Sequence, residues 1–91
     1  MVVVRKREYL DEVKAIISFI ARDSVNRAKN FKLQLDGKID DLIHFPYKYR
    51  QSVHHSSKEV RDLIYKGYTV VYRVNMEEDR IEVLEIFKWT K

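Results

Sequence analysis

Apolar residues recur along the chain with two different periods, and the change falls at Pro46, its only proline. Leu10, Val13, Ile16, Ile17 and Ile20 form the stripe of an amphipathic helix, predicted from about Glu8 to Ala21. Glu8, Asp11 and Glu12 occupy its first turns, where the positive end of the helix dipole favours acids. Arg22-Asp23-Ser24 then supplies a helix stop and an N-cap. Val25, Ala28, Phe31, Leu35, Ile39 and Leu42 continue as a second stripe, which predicts a helix from about Ser24 to His44. At ~1.5 Å per residue it would be ~30 Å long, and Gly37 in its middle costs about 1 kcal/mol relative to alanine. So short a connection makes the two helices an antiparallel hairpin.

Past Phe45-Pro46 the pattern changes to strands. Arg50 to Lys58 is polar, fitting an irregular strand or a mobile loop. Val60–Tyr65 and Tyr68–Asn75 are rich in Val, Ile and Tyr and are separated only by Lys66-Gly67, a two-residue hairpin signal. That turn fixes a register in which Tyr65 faces Tyr68, Leu63 faces Val70 and Arg61 faces Tyr72, all six on one face of the sheet. Asn75 to Arg80 forms the next turn and Ile81 to Trp89 a last strand, while Val2-Val3-Val4 opens the chain as a β-prone segment. Helices followed by strands predict an α+β domain: an N-terminal β-strand and a two-helix hairpin packed on a small twisted antiparallel sheet.

Composition narrows the picture. Ninety-one residues, 45% hydrophobic and 35% charged, suit one domain spanning 1–91. No cysteine is present, so no disulfide staples the fold. The longest apolar runs fall far short of the ~20 residues that cross a bilayer, and no signal segment opens the chain, which predicts a cytoplasmic protein without a membrane role. Eighteen Lys and Arg against 14 Asp and Glu give a net charge of +4, which favours acidic partners without naming one.

Candidate chemistry centres on Arg61. With Tyr72 opposite and Tyr65 and Tyr68 along the same face, a forked cation stands among flat rings, the combination that phosphate contact and base stacking require. The alternative is an ordinary sheet face whose tyrosines pack and whose Arg61 pairs with Asp62 or Glu59. His54 and His55 have the side chain suited to proton transfer near neutral pH, yet lie in a serine-rich stretch where solvated histidines are the commoner case. Lys48 and Arg50 alternate with Tyr47 and Tyr49, either to touch RNA or to cover the helix end. No glycine-rich phosphate loop, serine-nucleophile motif or metal-ligand spacing occurs, and no cofactor is expected.

Several of these pieces in order resemble the RelE/ParE superfamily of bacterial type II toxins: Ile16 to Ala21 before Asp23-Ser24, then Ala28, Phe31, Leu35 and Ile39 with Leu42-Ile43-His44-Phe45-Pro46, then Val60-Arg61-Asp62-Leu63 and Gly67-Tyr68-Thr69-Val70-Val71-Tyr72-Arg73-Val74. The resemblance spans nearly the whole chain. It implies a toxin that arrests growth, of the kind associated with plasmid stabilisation. A cognate antitoxin would wrap around it, and operator DNA would be met only through that antitoxin. In the RelE branch, which cleaves mRNA on the ribosome, Arg61 matches the arginine that holds the scissile phosphate. Lys88 would then assist the leaving group, and His54 or Tyr72 would move the proton. In the ParE branch, which blocks DNA gyrase by binding it, no residue is catalytic. Arg50, Tyr65, Tyr68 and Trp89 are the expected binding contacts. The C-terminal Phe87-Lys88-Trp89-Thr90-Lys91 lacks the Arg, His or Tyr of the ribonucleases and leans toward ParE, with the RelE-like endoribonuclease as the alternative.

Overall fold

The computed structural model describes residues 1–88. Strand β1 (Val2–Arg5) leads into helices α1 (Arg7–Asp23) and α2 (Val25–Asp40), a 3₁₀ turn (Asp41–Ile43), and strands β2 (Arg50–Gln51), β3 (Val60–Tyr65), β4 (Tyr68–Asn75) and β5 (Arg80–Lys88). The five strands form one sheet in the order β1-β5-β4-β3-β2. Both helices pack on one face of it, giving the α+β architecture that the sequence predicts.

One residue joins the helices. The Ser24 backbone is extended, its N–H donates to the Ile20 carbonyl to close α1, and its side chain accepts from the Arg27 N–H to open α2. α1 thus runs two residues past its predicted end. α2 stops four residues short of His44, because its last turn tightens into the 3₁₀ turn and His44 donates to the Asp41 carbonyl. Phe45, preceding proline, is disfavoured in helical conformation and carries the chain away.

The hairpin register is the predicted one throughout, from Tyr65 opposite Tyr68 to Val60 opposite Arg73. Lys66 and Gly67 both have positive φ, the requirement of the tight turn whose twist suits paired strands. β4 pairs antiparallel with β5, which carries a bulge at Leu84: Val71 and Tyr72 are consecutive on β4, yet their partners are Glu85 and Val83. The sheet is mixed, however, since β1 runs parallel to β5, with Val2 beside Arg80 and Arg5 beside Val83. The helical hairpin and strands β2 to β4 all lie in the connection between them, far longer than the roughly dozen residues that a parallel pair needs. Where β1 ends, Glu12 of α1 takes over the edge of β5, its carboxylate accepting the Ile86 N–H at 2.9 Å.

The core lies between helices and sheet. Tyr9, Phe31, Leu35, Ile39 and Leu42 pack on Leu63, Tyr65, Val70, Tyr72, Val74, Ile81, Val83 and Ile86. α2 therefore buries its predicted stripe apart from the exposed Val25, whereas α1 buries only Tyr9 completely. Val13, Ile16, Ile17 and Ile20 are half-buried at the rim of the core and Leu10 is 43% exposed.

Candidate functional site

The predicted face of the hairpin is the face on which the helices sit. Alternation states which side chains share a face and leaves open which face meets the second layer. Tyr65 is buried beneath α2, its hydroxyl donating to Gln34 Oε1 at 3.2 Å and its ring 5.3 Å from that of Phe31. Tyr68 is half-buried, edge-on to Phe31. Tyr72 is 0% exposed and donates to the Pro46 carbonyl at 2.8 Å. Burial pushes its phenol up from 10.0 to about 12, an effect that the Tyr49 backbone and then the Arg61 cation only partly offset. A phenol so held is a structural pin between the sheet and the segment after α2.

Arg61 stands at the border of this face and is only partly buried. Its Nε donates to the Lys58 carbonyl and its Nη1 to the Tyr49 carbonyl, both at 3.1 Å, and its guanidinium lies 4.8 Å from the Tyr47 ring centroid. The fork thus ties two segments to β3, leaving the charge without a carboxylate partner among the described residues. Neither Asp62 nor Glu59 neutralises it. The ring beside it is Tyr47, from the Tyr47–Arg50 alternation, and not one from the hairpin. Phe45, Tyr47 and Lys48 around it are exposed.

The remaining candidates lie elsewhere. Arg50 is on the outer face of the sheet, with Nη2 at 3.7 Å from the buried Asp62 carboxylate. Val53 donates its N–H to the same carboxylate at 3.3 Å, which folds the polar 52–58 segment over that face. His54 is exposed there, its ring edge-on to Phe87 at 5.0 Å, and His55 Nε2 lies 3.9 Å from Glu85. Phe87 pairs with Thr69 and so points away from the helices. Lys88 is exposed opposite Tyr68, which faces Tyr65, four residues along β3 from Arg61. At ~3.4 Å per residue and ~4.8 Å between strands, Arg61 and Lys88 are about 17 Å apart. The structure therefore brings Arg61 and Tyr72 near one another and separates both from His54 and Lys88. Trp89 lies outside the described residues. No cluster of His, Cys, Asp or Glu among the described residues is placed to hold a metal ion.

From Arg61 to the turn at the far end of β3 the surface is aromatic and cationic. Lys48 lies over Tyr49 at 5.6 Å, and Lys38 and Lys66 lie over Tyr65 at 5.8 and 5.5 Å. Of these residues, the sequence signals Tyr65 and the Tyr47–Arg50 alternation, and Lys66 only as part of a turn. Lys38 carries no local signal, because its neighbours come from distant parts of the chain. Such an arrangement can hold an acidic partner, but it does not assemble an acid, a base and a phosphate clamp at one point.

With this geometry in view, a family model described as the ParE toxin of a type II toxin–antitoxin system, parDE, matches residues 3–88. The chain belongs to the ParE toxin family. A solved structure described as the chromosomal ParDE TA system from P. aeruginosa has the same fold, with a TM-score of 0.78 over 99% of this chain and 97% of that one at 15% identity. No curated protein sequence matches the chain. Family membership supports a cognate antitoxin as a partner of this ParE-family chain. No helix among the described residues is long and apolar enough to cross a membrane.

Proposed function

We propose that this ParE-family chain arrests growth by binding and blocking a macromolecular target, with DNA gyrase the leading candidate, and that a cognate antitoxin neutralises it. Operator DNA is met only through the antitoxin, and the site of action is the cytoplasm. The supporting observation is the dispersal of the groups that RNA cleavage would need. The Cα atoms of Arg61 and Lys88 are about 17 Å apart along the sheet, and the Arg61 fork is tied to the Lys58 and Tyr49 carbonyls, away from Lys88. His54 is on the opposite face, and the Tyr72 hydroxyl is buried on the Pro46 carbonyl. General acid–base catalysis needs its groups within hydrogen-bond reach of the reacting atoms, at about 3 Å.

The test is inducible expression without antitoxin, read by plasmid supercoiling and by messenger integrity in the same cells. Loss of gyrase supercoiling with intact messenger is the expected result. Messenger cut on ribosomes, abolished by Arg61→Ala in a folded protein, would overturn the proposal in favour of the endoribonuclease. Expression that leaves growth untouched would remove growth arrest altogether.

A further inference from the structure

A groove of about 420 Å³ runs between α2 and the segment that follows it, lined by Gln34, Gly37, Lys38, Asp41, Lys48 and Tyr49. Gln34 accepts the Tyr65 hydroxyl at one end, and the Tyr49 carbonyl accepts from Arg61 at the other. Two cations, Lys38 and Lys48, thus line the groove, and Lys66 and Arg61 stand at its ends. Each of the four lies over a tyrosine ring, and none pairs with a carboxylate among the described residues. Arg5, Lys32, Arg50, Arg73 and Arg80 sit on carboxylates, and other cations without one, such as Lys14, Lys29 and Lys58, lie over no ring among the described residues, so the groove is marked by cations held on tyrosines. Gly37 opens the helical wall, since a Cβ built there meets nothing within 4 Å.

We infer that this groove receives an extended acidic segment of the cognate antitoxin, with side-chain carboxylates on Lys38 and Lys48. The inference rests on the antitoxin pairing proposed above. Peptide fits better than RNA for two reasons. Tyr65 is 6% exposed with its ring taken by Phe31, Lys38 and Lys66, and Tyr49 and Tyr47 each carry a cation, Lys48 and Arg61, over one face, which leaves little free ring for bases to stack on. Asp41, the one acid of the lining, disfavours phosphodiester and carboxylate alike, but can accept a backbone N–H between acidic side chains, a donor that every non-proline residue of a peptide carries.

The test titrates the full chain with a fluorescein-labelled decapeptide of alternating Glu and Leu, with a Lys–Leu counterpart and with a ten-nucleotide uridine RNA. The acidic peptide should bind and weaken with salt, the basic one should not bind, and the RNA should bind at least about tenfold more weakly. Lys38→Ala with Lys48→Ala should weaken the acidic peptide about tenfold, the sum of two exposed ion pairs. Gly37→Phe fills the groove and should abolish binding at unchanged melting temperature, while Gly37→Ala keeps it. Wild-type affinity in Gly37→Phe, or RNA bound as tightly as the acidic peptide, overturns the inference. A candidate antitoxin, expressed from a neighbouring reading frame that encodes a small acidic protein, should displace the labelled peptide. Its binding to the toxin without displacement overturns the antitoxin as occupant, and its failure to bind at all overturns the pairing itself.

Discussion

Replacing Tyr72 with phenylalanine separates a pin from a proton donor. The hydroxyl is buried and donates to the Pro46 carbonyl at 2.8 Å. Its loss removes a hydrogen bond worth about 1 kcal/mol net and strands an acceptor whose desolvation adds to the cost, for a total of about 1–2 kcal/mol. In a domain of this size that is a fall in melting temperature of roughly 5–15 °C. The alkaline limb gives a second reading. Tyr72 and Tyr9 are both raised from 10.0 to about 12, each chiefly by burial. A phenol whose folded pKa exceeds its unfolded one contributes stability fully below the unfolded value and loses it as pH rises through the folded value. Between about pH 10 and 12 each therefore removes about 1.4 kcal/mol per pH unit. Urea unfolding from pH 8 to 11.5 should show the combined slope in the native protein and about half of it in Tyr72→Phe. An unchanged slope and midpoint would refute the pin, and loss of toxicity at full stability would restore Tyr72 as a proton donor.

Other expectations follow from single contacts. Ser24→Ala removes the α2 cap and should cost about 1 kcal/mol by urea denaturation, without changing the fold seen by circular dichroism. Gly37→Ala should stabilise by about 1 kcal/mol, because the added methyl enters open space on an exposed helix; destabilisation would mean that the helix is distorted there. Leu35→Ala opens a cavity in the middle of the core and should cost about 2–5 kcal/mol. Arg61→Lys keeps the charge but not the fork that reaches both the Lys58 and Tyr49 carbonyls. Hydrogen exchange should therefore quicken in residues 47–51 while β4 stays protected.

Local chemistry made most of the fold legible. Lys66-Gly67 fixes the hairpin register, and Ser24 divides the helices, because each acts through neighbours a few residues away. The parallel seat of β1 beside β5 was not legible, since its partner lies 78 positions further on and no turn connects the two. The site was legible at Arg61 and in the Tyr47–Arg50 alternation. Its surroundings were not, because strand period groups Arg61 with Tyr72 without revealing that α2 covers that face. The descent of 52–58 onto the outer face depends on Asp62, a buried carboxylate that sequence treats as a surface residue.

Glu12 has a consequence for solubility. Beyond Val83, the side of β5 that β1 covers earlier has no strand among the described residues, and a bare row of amides invites a second molecule to add its own strand. A helix side chain that occupies the Ile86 N–H removes one rung of that ladder from the middle of the open stretch. The chain thus carries a built-in guard against edge-to-edge polymerisation, placed in α1 and invisible to any inspection of the strand alone.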